Sequence, residues 1–301
     1  MTTIVRRTHP RRRRGTTIGA RRAGIVSAIV ILIALSAPLI STPTAAALPP
    51  GLNYVALGDS RAAGSLPAFE PANGCWQSSV SYPRVLARSI GPHSFVDRSC
   101  AGAWAANITH LPENGPFGPI PPQIRWVTRS TDLVTISIGG NDLNWGAIAG
   151  RCTTQVPGGD ARCRTNGAHL AAADRSLNHM TAVMDSAVRA VRAAAAPHAR
   201  IVIVGHGGVI GTRGCWPFVP ASDADARWMN SFMTKVNAAQ ARIAQRYDAA
   251  FIDVMRRSVG HDPCAAQPWF EGTVPRSLAV SGHPNEIGMA KIAEWIRTQV
   301  R

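Results

Sequence analysis

A serine that follows an apolar run is the first residue of this chain that could do chemistry. In the stretch YVALGDSRAAG, mostly apolar residues lead into Gly58-Asp59-Ser60, and small residues follow. A serine hydroxyl becomes an effective nucleophile only beside a base, usually a histidine, and near donors for the oxyanion that forms. A turn from a strand into a helix would expose the hydroxyl and direct free backbone N–H groups at one point. Taken alone, the stretch allows two interpretations of Ser60, a nucleophile or the N-cap of a helix.

Other polar residues follow further apolar runs of the chain. The strand-like runs are NYVAL (53–57), SFVD (94–97), DLVTISI (132–138), ARIVIV (199–204) and AAFIDV (249–254). Three of them lead into turns that contain Gly102, Gly139-Gly140-Asn141-Asp142, and Gly205-His206. In open α/β sheets, ligands bind at the carboxyl ends of the strands. We therefore expect these turns to gather with Ser60 along one edge of a sheet.

The segments between the runs have helical periodicity. Apolar residues recur at intervals of three and four from Leu170 to Val191, and a second stripe extends from Trp228 to Ile243. A last helix is predicted from near Pro284 to the C-terminus. Strands that alternate with helices favour a parallel sheet with helices on both faces, in a single domain over residues 48–301.

Four segments in order resemble the sequence blocks of the SGNH hydrolase superfamily, also called the GDSL lipases and esterases. They are Gly58-Asp59-Ser60, the glycine of SCAGAW (Gly102), the G-x-N-D turn Gly139-Gly140-Asn141-Asp142, and His283-Pro284-Asn285. The blocks span nearly the whole of residues 48–301. The resemblance implies an α/β fold, a three-layer α/β/α sandwich around a central, mostly parallel sheet.

The resemblance also implies a role for each matching residue. Ser60 would be the nucleophile and would give its own backbone N–H to the oxyanion hole. Gly102 would supply a second backbone N–H and Asn141 a side-chain amide, while His283 would be the general base. Asp59 and Asp142 are expected to brace their turns. The mechanism needs no cofactor, and the histidines lack any metal-ligand spacing, so we predict no metal.

The chain departs from the family pattern at the position three residues before the histidine. Relatives usually have an aspartate there, which orients the imidazole and stabilises the imidazolium, but this chain has Val280. A backbone carbonyl can accept the Nδ1–H bond instead. We therefore predict a Ser60–His283 dyad in which the carbonyl of Val280 replaces the acid, with Ser281 and a distant carboxylate as alternatives.

Other residues near the predicted site have two interpretations each. Arg61, directly after the serine, is either solvated or contacts an anionic part of a substrate. His206 either lines the pocket or is a bystander. Trp104, Trp216 and Trp269 could line an acyl pocket or only pack in loops or the core.

The six cysteines suggest disulfides, because their number is even and no C-x-x-C pair favours a metal. Spacing alone leaves 15 pairings open. The family resemblance implies pairing in chain order, as Cys75–Cys100, Cys152–Cys163 and Cys215–Cys264.

The N-terminal residues resemble an export signal. Residues 1–47 contain eight arginines and no acidic residue, followed by the apolar run AGIVSAIVILIALSAPLI and by TPTAAA. This order is typical of a signal peptide cleaved near Leu48; an uncleaved membrane anchor is the alternative.

The net charge gives little support for nucleic-acid binding. Removing the eight arginines from the formal charge of +15 leaves +7, with no sustained basic run.

Together these features predict a secreted serine ester hydrolase, a lipase or carboxylesterase, that acts as a monomer on an ester or lipid-like small molecule. One alternative is another acyl hydrolase on the same fold, such as a phospholipase, thioesterase or sugar O-deacetylase. The other is a non-catalytic binding protein whose site has degenerated.

Overall fold

Strands and helices alternate along the computed structural model, which describes residues 51–64, 69–70, 74–115 and 118–300. The predicted leader, residues 1–47, lies outside this part of the chain. The strands described are β1 (Asn53–Gly58), β2 (Phe69–Glu70), β3 (Gln77–Ser78), β4 (Ser94–Asp97), β5 (Glu113–Gly115), β6 (Gly118–Ile120), β7 (Leu133–Ser137), β8 (Arg200–Val204) and β9 (Ala250–Ile252). The α-helices described are α1 (Ser60–Ala63), α2 (Tyr82–Ile90), α3 (Ala105–Thr109), α4 (Trp145–Gly150), α5 (Gly167–Ala194), α6 (Asp223–Arg246), α7 (Val254–Arg257) and α8 (Glu286–Val300).

Five strands form the central sheet, in the order β4-β1-β7-β8-β9, and every neighbouring pair is parallel. These are the five apolar runs predicted as strands. The remaining strands form two small antiparallel pairs, β2–β3 and β5–β6. The predicted α/β fold class is confirmed.

Alternate side chains of the strands face two separate hydrophobic layers. Val55 and Leu57 of β1 pack in the cluster that contains Met180 and Met184 of α5, together with residues of α3 and α6. Tyr54 and Ala56 face the opposite cluster, built with α2 and α8. This alternation follows from the two-residue repeat of a strand, and it requires a helical layer on each face of the sheet.

The last helix begins at Glu286, two residues after Pro284, near which its start was predicted. The side chain of Asn285 explains the difference. Its Oδ1 accepts the backbone N–H of Gly288 at 3.0 Å, and its carbonyl accepts the N–H of Met289. Asn285 is therefore the cap, and Pro284 lies before the helix.

Gly58, the last residue of β1, lies so close to the neighbouring strand β7 that no side chain would fit there. Its φ is +150°, and a Cβ built there would lie 2.3 Å from the carbonyl oxygen of Ser137 on β7. Glycine lets the two backbones approach, and the N–H of Asp59 donates to that same carbonyl at 2.9 Å. Ser60 thus leaves the sheet at a fixed point.

Within the described ranges, no helix has both the length and the apolar character needed to cross a membrane.

Candidate active site

Ser60 and His283 meet at the carboxyl edge of the sheet. The two residues are 223 positions apart in sequence, and Ser60 Oγ lies 2.7 Å from His283 Nε2. Ser60 opens α1 directly after β1, while His283 lies in the loop that precedes α8. The fold therefore brings together the two residues predicted as nucleophile and base.

Asp59, not Ser60, caps the short helix after β1. The Asp59 carboxylate accepts the backbone N–H of Arg61 at 2.9 Å. The interpretation of Ser60 as an N-cap is wrong because the neighbouring carboxylate makes that bond and leaves the serine hydroxyl for His283. Burial raises the pKa of Asp59 to about 6.

A backbone carbonyl orients His283, but the carbonyl is that of Ser281 and not that of Val280. His283 Nδ1 lies 2.8 Å from the Ser281 carbonyl oxygen. The Val280 carbonyl instead accepts the backbone N–H of His283 at 3.2 Å, and Gly282 turns the chain between them with φ +72°. Because a carbonyl can only accept, the hydrogen of the neutral ring lies on Nδ1, and the lone pair of Nε2 faces the Ser60 hydroxyl.

His283 is held neutral. Its pKa is lowered to about 4, chiefly because burial disfavours the imidazolium. The Ser281 carbonyl opposes this effect, and the positive charge of Arg61 adds to it. Burial is therefore the principal reason why the ring stays neutral.

Two of the three predicted oxyanion donors, Gly102 and Asn141, lie in adjoining turns. The Asn141 amide donates one hydrogen to the carbonyl of Ala103 at 2.8 Å, which joins its turn to that of Gly102. Among the residues that the structure describes, its second amide hydrogen has no partner. Gly102 has φ +88°, a conformation that residues with a side chain disfavour, while a Cβ built there would lie in open space. Its backbone conformation, and not crowding by neighbours, is therefore what requires glycine here.

Asp142 braces the same two turns. Its Oδ2 accepts the backbone N–H of Ala105, the first residue of α3, at 3.0 Å, and burial raises its pKa. A carboxylate at the start of α3 also interacts favourably with the helix dipole.

An apolar cavity of about 470 Å³ opens beside the Ser60–His283 pair. Both residues, Asn141 and Arg61 are part of its wall. Its apolar wall includes Trp145, Val209, Ile210, Val219, Met229 and Met233. The volume lies in the range of small-molecule sites.

The three tryptophans predicted as possible pocket residues do not line this cavity. Trp104 and Trp216 are exposed, and Trp269 stacks on His261 with the ring centroids 3.5 Å apart. A different tryptophan, Trp145, is part of the cavity wall, because it opens α4, which follows the Asn141 turn.

Arg61 is buried, so its interpretation as a solvated residue is wrong. Only 9% of its surface is exposed, its guanidinium donates to the carbonyl of Gly207 at 3.0 Å, and burial lowers its pKa to about 10.

His206 is also in the cavity wall, and its Nδ1 accepts a hydrogen bond from the Gln240 amide at 2.7 Å. Burial lowers the pKa of His206 to about 3, which keeps the ring neutral.

Glu271 is a site residue that the sequence analysis missed. It is buried, and its carboxylate accepts from the N–H of Arg276 at 2.6 Å, the hydroxyl of Ser277 at 2.8 Å and the amide of Asn285 at 3.2 Å. It therefore ties together both ends of the loop that holds His283. No sequence signal marks it, because the residues that it joins are separated in the chain.

Three disulfides link the cysteines in chain order, as Cys75–Cys100, Cys152–Cys163 and Cys215–Cys264. The first one anchors the segment that leads into the Gly102 turn. Two clusters of metal-ligand side chains occur in the described part of the chain, and each contains one of these disulfides. The sulfurs of a disulfide are not thiolates, the form in which cysteine binds metals.

The chain is similar to known proteins in sequence and in fold. The model of the GDSL-like Lipase/Acylhydrolase family matches residues 56–291. A protein named Lipase 2 from Streptomyces coelicolor is 33% identical over 270 residues, which cover 86% of this chain and 87% of that protein. The crystal structure of an extracellular lipase from Streptomyces rimosus is 27% identical with a TM-score of 0.68, covering 83% of this chain and all of that one. A phospholipase A1 from Streptomyces albidoflavus, 24% identical with a TM-score of 0.66 over 83% of this chain and 99% of that one, shares the fold.

Proposed function

Because this chain belongs to the GDSL-like lipase/acylhydrolase family, we propose that it hydrolyses esters through an acyl-enzyme formed on Ser60. Membership makes the chain a carboxylic-ester hydrolase; the assignment of the individual steps is the proposal. The observation that carries it is the 2.7 Å contact between Ser60 Oγ and His283 Nε2.

In the first half of the reaction, Ser60 Oγ attacks the ester carbonyl carbon while His283 Nε2 takes the hydroxyl proton. The carbonyl oxygen becomes an oxyanion, which accepts from the backbone N–H groups of Ser60 and Gly102 and from the free amide hydrogen of Asn141. As the tetrahedral intermediate collapses, the imidazolium gives its proton to the departing alkoxide, and the acyl group remains on Ser60.

In the second half, His283 takes a proton from water, and the resulting hydroxide attacks the acyl-enzyme. Collapse of this second intermediate returns a proton to Ser60 Oγ and releases the carboxylic acid. The Ser281 carbonyl, 2.8 Å from Nδ1, keeps the ring oriented through both halves. The Ser281 carbonyl oxygen gives the ring a partial negative charge as its partner, whereas most relatives have the full charge of a carboxylate there.

The substrate is an ester with an apolar acyl group. The cavity beside Ser60 has mainly apolar walls and a volume of about 470 Å³, which suits an extended hydrocarbon chain. Since no cofactor takes part in either half-reaction, ester and water are the only reactants.

Buried Arg61 favours a second candidate within the same class, the hydrolysis of esters that also bear an anionic group, such as phospholipids. A buried guanidinium is costly to desolvate, and the only hydrogen bond that its side chain makes within the described residues is to the Gly207 carbonyl. Replacing Arg61 by glutamine should lower the ratio of phospholipid to neutral-ester turnover; an unchanged ratio would exclude this candidate.

The protein is also proposed to be exported, with residues 1–47 as a cleaved leader and 48–301 as the hydrolase domain. The leader pattern, the three disulfides and the extracellular origin of the similar Streptomyces rimosus lipase support this. Mass spectrometry of the protein from culture medium should find an N-terminus near Leu48; an intact leader would contradict cleavage.

Labelling with a fluorophosphonate tests the catalytic assignment directly. The purified protein should be tagged on Ser60 and should hydrolyse p-nitrophenyl esters, whereas Ser60→Ala should lose both activities. The matched control is Ser79→Ala, which removes an exposed hydroxyl. Labelling that persists in Ser60→Ala, or that occurs at another residue, would refute the assignment.

A further inference from the structure

The side-chain amide of Gln123 pairs with the backbone of Gly58, two residues before the proposed nucleophile. The Gly58 N–H donates to Gln123 Oε1 at 2.8 Å, and Gln123 Nε2 donates to the Gly58 carbonyl at 2.9 Å. On this side of β1 the segment after β4 makes one bond to Gly58, from the Cys100 N–H to the Gly58 carbonyl at 2.9 Å. Gln123 shares that carbonyl and is the acceptor of the Gly58 N–H, so it completes the pairing of the sheet edge up to the turn that presents Ser60.

Glu113 fixes the direction of this amide. Its Oε1 accepts from Gln123 Nε2 at 2.9 Å. A carboxylate only accepts and a backbone N–H only donates, so the amide can satisfy Glu113 and Gly58 together in one orientation only. Gln123 and Glu113 are 1% and 8% exposed, so water does not compete for these bonds. Burial raises the pKa of Glu113 to about 7, and the nearby charge of Asp59 acts in the same direction.

From this arrangement we infer that Gln123 is a positioning residue for the Ser60 nucleophile and that Glu113 holds it in place. The inference rests on the proposed function. The Asp59 N–H already fixes the turn to Ser137 on one side at 2.9 Å, and Gln123 fixes its opposite side. Neither Gln123 nor Glu113 lines the catalytic cavity. Their effect should therefore fall on kcat and not on KM.

Gln123→Glu is the decisive variant, because it keeps the shape of the side chain and makes its donor dependent on pH. When protonated, the new carboxyl can accept from Gly58 and donate to one neighbour. When ionised, it has no donor for the Gly58 carbonyl and repels Glu113. Burial and the neighbouring carboxylate both raise the pKa of the introduced group, so it should titrate near neutral pH.

We expect the kcat of Gln123→Glu to fall about 10- to 100-fold at pH 8, the scale of loss for a slightly misplaced reacting group. Its ratio to wild type should recover as the pH is lowered to 5, with KM little changed throughout. Gln245→Glu, the same change at an exposed position on α6, should follow the wild-type profile. A folded Gln123→Glu whose kcat stays within about twofold of wild type at pH 8, or whose ratio does not vary with pH, would overturn the inference.

Hydrogen exchange separates failure of this inference from failure of the proposed function, since it needs no turnover. Gln123→Met removes the acceptor of the Gly58 N–H, so exchange of that amide should accelerate relative to the rest of β1. An unchanged exchange rate in the folded variant would overturn the inference. If Gln123→Met does not fold, the pH series of Gln123→Glu decides alone. Absence of ester hydrolysis and of Ser60 labelling in the wild type would instead refute the proposed function.

Discussion

His283 illustrates, at the scale of one residue, a compromise between orientation and basicity. A carbonyl acceptor fixes the tautomer as a carboxylate would, but it provides less charge to stabilise the imidazolium. Burial and the nearby Arg61 lower the pKa of His283 to about 4, so the ring is unprotonated over a wide pH range. A weaker base also accepts the serine proton less readily. We therefore expect tolerance of acid at some cost in rate.

The pH dependence of kcat/KM measures this compromise. His283 must be neutral to act, and its pKa is lowered from 6.5 to about 4, so activity should persist to about pH 5 and decline as pH falls through about 4. Arg61→Gln should move this decline to higher pH, because it removes a positive charge near the ring. An acidic limb near pH 6.5 in the wild-type profile would contradict the assignment.

Unfolding must be monitored in the same experiment. Between pH 6.5 and about 4, His283 binds a proton in the unfolded chain but not in the folded one. The contribution of His283 to the free energy of unfolding therefore decreases as pH falls through this window, whereas Asp59 and Glu113, whose pKa values are raised, contribute with the opposite sign. Tryptophan fluorescence at each pH separates this loss of stability from protonation of the base.

At the scale of elements, the loop before α8 has to hold His283 against a strand end far away in sequence. Residues 271–285 contain no strand or helix, so their order depends on side-chain contacts and on a few backbone bonds. The Glu271 N–H donates to the carbonyl of His283 at 2.8 Å, and the Glu271 carboxylate receives three further bonds from the same loop. One buried acid thus holds the loop together.

Replacing Glu271 with glutamine tests this role. The variant keeps the size of the side chain but turns one acceptor oxygen into a donor that faces other donors. Leaving buried donors unsatisfied costs about 1–3 kcal/mol, so the melting temperature should fall. We also expect kcat to fall about 10-fold as His283 loses its fixed position.

The control for this variant is Glu294→Gln, an exposed carboxylate on α8 that pairs with Lys291. Exposed ion pairs contribute little, so its melting temperature and kcat should match wild type. Equal behaviour of the two variants in calorimetry and ester turnover would show that Glu271 has no special role.

At the scale of the whole molecule, the catalytic cavity is assembled from parts of the chain that are distant in sequence. Its wall includes Ser60 after β1, Trp145 on α4, Val209 after β8, Met233 on α6 and His283 before α8. Since the carboxyl ends of parallel strands share one edge, these segments converge there. Because residues of α4 and α6 form part of this wall, we expect the acyl preference of the proposed hydrolase to depend on how these helices pack.

Two glycines on α4 allow this dependence to be tested. Gly146 and Gly150 are four residues apart, line the cavity, and have open space where a Cβ would lie. Gly146→Leu should therefore occupy part of the cavity without a clash. We expect kcat/KM for long-chain p-nitrophenyl esters to fall about 10-fold or more relative to the acetate, the scale of a single methylene group in an apolar pocket.

Gly167→Leu is the matched control, because Gly167 opens α5, also has open space at its Cβ position and does not line the cavity. It should leave the chain-length profile unchanged. If Gly146→Leu also leaves the profile unchanged, the acyl chain does not occupy this cavity.

The sequence by itself determined the fold class and the residues expected at the site. Five short apolar runs predict the strands, and the order of the four blocks leads to the prediction of Ser60, Gly102, Asn141 and His283 as site residues. These signals are local, since each depends only on residues within one turn or one strand. Such patterns can be recognised without knowing how the segments pack.

Only the tertiary structure decided which groups serve those residues. The choice of the Ser281 carbonyl over that of Val280 depends on the backbone turn at Gly282. The contact of Arg61 with Gly207 and the pairing of Gln123 with Gly58 join residues far apart in the chain, and the contacts of Glu271 arise within an irregular loop that has no periodic pattern. Their energies depend on solvent exclusion and on distances that arise only when the layers pack, so no sequence pattern of this single chain records them.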